Sequence, residues 1–127
     1  MDIGNSNVAV WFEIPATDFE RAVTFYQTIL DINIEAIELA GLKHGLFPHG
    51  NQGLVSGSVV CGMGYTPSEE GSLVYLNGCD DLATALSKVE PAGGKVILPK
   101  THLGDEIGYI AHFIDSEGNK VGIHSMK

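Results

Sequence analysis

The chain is short of positive charge. Seven Lys and Arg residues stand against sixteen Asp and Glu, a formal charge of −9 over 127 residues. A phosphate-binding surface needs clustered Lys and Arg, so this balance argues against nucleic acid as a partner. Cysteine is scarce too. Cys61 and Cys79 lie in separate segments without metal-site spacing, which reads as reduced thiols of a cytoplasmic protein. Long apolar runs are missing, and so is a basic stretch followed by an apolar core near the start. Both absences argue against a membrane span and against secretion. What is present is 44% hydrophobic content. That is ample for the interior of one compact domain, or of two small modules sharing a core.

The most legible stretch is 108–126. Alternating arms at 108–114 and 119–126 flank Asp115, Ser116, Glu117 and Gly118. This pattern predicts a hairpin, with Gly118 supplying the positive φ of its turn. A loop over 115–119 sets Ile114 opposite Lys120, His112 opposite Gly122 and Ile110 opposite His124. One face then carries His112, Gly122 and His124. The other carries Tyr109, Ala111, Phe113, Val121 and Ile123, an apolar surface that wants a helix against it.

In chain order, 7–14 alternates as a strand with Trp11 and Glu13 on one face, and Pro15 ends it. Thr17 or Asp18 caps a helix over about 18–30, whose apolar positions Phe19, Ala22, Val23, Tyr26, Ile29 and Leu30 follow the helical period. Strands at 34–39, 42–47 and 54–61 follow, separated by Gly, Pro and Asn. After a linker-like stretch at 62–71 the order restarts. A strand at 72–77 leads to a helix capped by Asp80 or Asp81 and running to about Pro91, stopped by Gly93 and Gly94. A short strand at 95–98, a loop at 99–106 and the hairpin complete the chain. The pattern is α+β, two βαβββ modules at about 1–65 and 70–127 within one domain, an internal repeat of pattern. Two such sheets set edge to edge form a cup, the default place for a ligand.

Three runs, DFERAVTFY at 18–26, AGGKVILPK at 92–100 and DSEGNKVGI at 115–123, together resemble the vicinal oxygen chelate superfamily. That group includes glyoxalase I, bleomycin resistance proteins and extradiol dioxygenases. The resemblance spans nearly the whole chain and implies a cupped sheet. In the metalloenzyme members it also implies four ligands, His, Glu or Gln, one from each of four strands facing the cup. Carried over by position, the first of these is Trp11. The second falls at 54–61, where Cys61 is the one candidate, the third at 74–76, and the fourth is Gly122. None keeps its expected ligand, so the sequence calls for no metal and no cofactor.

The candidate ligand-binding residues are therefore Trp11, Glu13, His112, Gly122 and His124. An indole offers a stacking wall and a carboxylate an acceptor, while imidazoles donate or accept near neutral pH. Trp11 can equally serve the core, His112 can equally be a structural histidine bonded across the hairpin, and His124 can equally take a packed or interface role. His44 and His49, beside a Gly-Pro turn, and His102, in a loop, are read as solvated. The reading that follows is a metal-free protein of the bleomycin-resistance kind, binding a small molecule in the cup as a cytoplasmic homodimer. Its alternatives are a metal-dependent lyase, isomerase or dioxygenase of the glyoxalase type with a non-standard site, and an accessory module with a filled cup.

Overall fold

A computed structural model describes residues 2–50 and 54–127. The first module comprises β1 (Trp11–Pro15), α1 (Phe19–Leu30), β2 (Glu35–Leu39), β3 (Leu42–Leu46) and β4 (Ser56–Cys61). The second comprises β5 (Tyr75–Asn77), α2 (Leu82–Val89), β6 (Lys95–Gly104), β7 (Gly108–Ile114) and β8 (Lys120–Ser125). Each forms a four-stranded sheet with the same order, β1-β4-β3-β2 and β5-β8-β7-β6. In both, the first strand runs parallel to the last and the other pairs are antiparallel. The predicted βαβββ repeat is the architecture.

Both helices begin where side chains cap them. Asp18 Oδ1 accepts the Arg21 amide at 3.1 Å and Asp81 Oδ1 the Ala83 amide at 2.9 Å. Asp31 closes α1 in the left-handed conformation. Ala22, Tyr26 and Ile29 are buried as the period predicts, each large one contributing about 1.5–3 kcal/mol. Phe25, outside the predicted stripe, is buried as well. Its ring meets Phe113 of β7 at 5.9 Å, because α1 packs on the second module as well as on its own sheet. The two helices lie side by side, and the helix-covered faces of both sheets join one apolar core, from Ile14 and Val59 to Val121 and Ile123.

The hairpin register is the predicted one: Ile114 opposite Lys120, His112 opposite Gly122, Ile110 opposite His124. Ala111, Phe113, Val121 and Ile123 are all buried against the helices. Other boundaries differ. The first strand starts at Trp11 rather than at residue 7, because its partner β4 begins at Ser56, opposite Trp11. Val8 and Val10 lie outside the ladder and are 81% and 74% exposed. The strand expected over 72–77 shortens to Tyr75–Asn77, and α2 ends at Val89, before Pro91. The loop expected at 99–106 is largely strand, β6 continuing to Gly104 with irregular register. Pro99 is tolerated there because β6 is an edge strand, where a missing N–H breaks no ladder.

A carboxylate network pins the modules together. Asp115, 3% exposed, accepts the Tyr26 hydroxyl at 2.6 Å, the amides of Glu117 and Asn119, and the Asn119 side-chain amide. Asn119 also donates to the Pro15 carbonyl at 2.7 Å and accepts the Ser68 amide. Glu117, its side chain fully covered, accepts the Thr17 and Asp18 amides and a two-pronged bond from Arg21 at 2.6 and 3.1 Å. A hairpin turn of the second module thus holds the N-terminus of α1 in the first. Burial of the Tyr26 phenol, then the Asp115 charge and hydrogen bond, push its pKa well up.

Candidate functional site

Each sheet keeps one face free of helices, and strand parity decides what it shows. On the first sheet, Trp11 pairs with Ser56 and Glu13 with Ser58, while His44 pairs with Val60 and Glu35 with Leu46. On the second, Tyr75 pairs with Gly122 and Asn77 with His124, while His112 lies opposite Gly122 and Lys95–Ile114–Lys120 form a row. The first open face carries the carboxylates Glu13 and Glu35, and the second the ammonium groups Lys95 and Lys120.

Trp11 is 41% exposed, and the edge of its ring meets His49 with centroids 6.1 Å apart. Glu13 accepts the Tyr65 hydroxyl at 2.7 Å, a bond that, ahead of burial and the carboxylate charge, raises the tyrosine's pKa. His112 Nε2 lies 2.7 Å from the Tyr75 hydroxyl. Burial, then the neighbouring Lys120, lower the His112 pKa from 6.5, so the neutral ring is favoured as acceptor for the phenol. His124 Nε2 lies 2.5 Å from the Ile107 carbonyl. With Tyr75, Asn77 and Met126 it lines a cleft of about 500 Å³ at the end of β5 and β8.

The five predicted residues thus fall into two groups. His112, Gly122 and His124 share the second open face. Trp11 and Glu13 share the first, and among the described residues no hydrogen bond or ring contact joins the two groups. Glu13 of the first face and Lys120 of the second both line a small cleft of about 140 Å³, together with Thr66, Ser68, Ser72 and Val74. The room expected over Gly122 is taken by Tyr75, since a Cβ there would lie 2.4 Å from the tyrosine ring.

Sequence reasoning missed Tyr75, although its alternation with Leu76 within the strand could have shown it. It also misread His44. That ring is 8% exposed rather than solvated, because β3 is an inner strand that sets it between Ile37 and Val60 of its neighbours, with Nδ1 3.4 Å from the Ser58 hydroxyl. His49 is exposed as expected, and the His102 side chain is 48% exposed beside Asp105, although in a strand.

The positions where metalloenzyme relatives place ligands hold an indole at Trp11, a phenol at Tyr75 and no side chain at Gly122. The candidate thiol of the second position, Cys61, has the parity of Val59 and packs against the helix-side core, its Sγ 3.5 Å from the Thr17 carbonyl. No group of three or more His, Cys, Asp or Glu side chains is gathered for a metal among the described residues. This donor set does not fit a divalent ion.

The comparisons with known proteins agree with the topology. Curated protein sequences gave no match. Among solved structures, glyoxalase I from Zea mays superposes with a TM-score of 0.66 at 16% identity, over 92% of this chain and 45% of that one. The chain thus spans about half the length of the Zea mays enzyme. A glyoxalase/bleomycin resistance protein/dioxygenase family enzyme from Burkholderia phytofirmans gives 0.66 at 15% identity, over 93% and 98% of the two chains. The fosfomycin resistance protein FosX from Listeria monocytogenes gives 0.64 at 11%, over 94% and 90%. At these identities the likeness is one of fold. The family profile matches residues 9–123, which takes in both modules, and the chain belongs to the Glyoxalase/Bleomycin resistance protein/Dioxygenase superfamily.

Proposed function

We propose that this protein binds a small, planar, partly aromatic molecule without a metal, at a site built from its two open sheet faces. One observation carries the reading: Trp11, Tyr75 and Gly122 stand where metal ligands would stand, and Cys61 turns into the core. Trp11 and Tyr75 offer stacking surfaces, Glu13 an acceptor, and His112 and His124 imidazole nitrogens.

The two faces belong together through a second copy of the chain, in a cytoplasmic homodimer. Three features support this. The helix-side faces are spent on one shared core, so neither helix covers the open faces. Trp11, Tyr75, Leu39 and Ile97 are between 41% and 59% exposed on them or at their edges. The first face is acidic and the second basic, so one chain's first face complements its partner's second. Two free cysteines accord with a reducing compartment.

A thermal-shift screen of planar aromatics, run once in EDTA and once with zinc, nickel or manganese, tests the proposal. Binding raises stability by mass action. Hits should appear in EDTA and should weaken by about 1–3 kcal/mol in Trp11→Ala and Glu13→Gln. Hits that need a divalent ion would favour the glyoxalase-type alternative instead.

A further inference from the structure

Opening mainly on the helix side, and reaching the open faces only at Ser56 and Asn77, a cleft of about 450 Å³ separates the modules where α1 ends and α2 begins. That size lies within the usual range of small-molecule pockets. Its floor is apolar, formed by Phe12, Ile29, Phe47, Leu76 and Ala85, all but Phe12 less than 9% exposed. Its rim is charged. Asp31 closes α1 at one side, and Asp80 and Asp81 enter α2 at the other.

The charges are not equivalent. Asp81 is engaged by Lys100 at 2.8 Å and by the Ala83 amide. Among the described residues, the carboxylates of Asp31 and Asp80 have neither an ion-pair nor a hydrogen-bond partner. Lys88, on the α2 wall, is the cation lining the cleft. Two unpaired carboxylates against one ammonium leave the rim net negative over an apolar floor.

We propose that this cleft is a second binding site, for a small amphiphile with an aromatic body and a protonated amine. The body covers the apolar floor, displacing water from it, and the ammonium sits between Asp31 and Asp80. A carboxylate on the same body meets repulsion at that rim. The groups that bind here, Asp31, Asp80 and the apolar floor, are not those of the function proposed above, so the two readings succeed or fail separately.

Cys79 supplies the reporter. It is exposed on the rim of this cleft, whereas Cys61 is half-buried near α1's N-terminus. The experiment follows alkylation of each thiol by iodoacetamide, using peptide mass spectrometry, during titration with an N,N-dimethyl-naphthylmethylammonium salt or with naphthoate. The ammonium compound should slow Cys79 saturably and leave the Cys61 rate unchanged. Naphthoate should not protect. Asp31→Asn with Asp80→Asn should raise the half-protection concentration about fivefold, as expected for partly exposed ion pairs. Cys79 also borders the cleft beside His124, so Thr84→Trp, on an exposed position of α2 that lines only the helix-side cleft, should abolish protection. Absence of saturable protection in the unmodified protein, equal protection by naphthoate, or full protection in folded Thr84→Trp protein would each overturn the proposal.

Discussion

His112 and Glu117 are ionisable groups whose neighbours set opposite duties. Burial and Lys120 lower the His112 pKa below 6.5. A histidine depressed in the folded state contributes stability that is present above the unfolded value and is lost as pH falls through the folded one. An NMR titration of the His112 ring should therefore give a midpoint below 6.5, and Lys120→Gln should raise it. A midpoint at or above 6.5 in the unmodified protein contradicts the account. For Glu117, burial pushes the carboxyl up, but Arg21, the Asp18 and Thr17 amides and Ser116 together hold it below 4.5. Its contribution is present above the unfolded value and lost as pH falls through the lower folded value. Glu117→Gln should cost about 1–3 kcal/mol near neutral pH and flatten the acid limb below about pH 4.5. Urea unfolding across that range is the check, and an unchanged acid limb would remove Glu117 from this role.

At the level of elements, the β7–β8 hairpin does the most. It presents His112, Gly122 and His124 on one face, buries Phe113 and Ile123 on the other, and its turn anchors α1 through Asp115 and Glu117. Tyr26→Phe removes one donor from a buried carboxylate and should cost about 1.5–3 kcal/mol, read from the denaturant midpoint. An unchanged midpoint would show that Asp115 does not need the phenol. Gly122→Ala places a methyl group in the Tyr75 ring and should break the Tyr75–His112 bond, visible as a shifted His112 ring signal. An unmoved signal would show that the ring has room. Much of this was legible in the residues. The hairpin register follows from its alternation and Gly118, and the cap candidates, Thr17 or Asp18 and Asp80 or Asp81, mark the start of both helices to within one residue. What was not legible depends on partners far along the chain. Pro99 reads as a breaker until β6 proves to be an edge strand. Phe25, outside the expected stripe, is buried because the second module covers it. His44 looked solvated because the turn beside it outweighed the parity of its own strand.

At the level of the molecule, two faces of opposite charge with exposed Trp11 and Tyr75 make a second chain the expected cover. Light scattering at micromolar concentration should report a dimer, weakened by Lys95→Glu with Lys120→Glu, and a monomer in the unmodified protein would contradict this. The parity that put Trp11 and Glu13 on one face and His112, Gly122 and His124 on another was readable in the sequence. That the two faces serve one site is what the family resemblance implies, rather than parity, because face-to-face packing leaves no local periodicity. Backbone amide shifts on adding the tightest ligand from the screen, in EDTA, test the central claim most directly. The account predicts saturable shifts at Trp11 and Glu13 together with His112, Gly122 and His124. Shifts confined to one sheet, or seen only after a divalent ion is added, would contradict it.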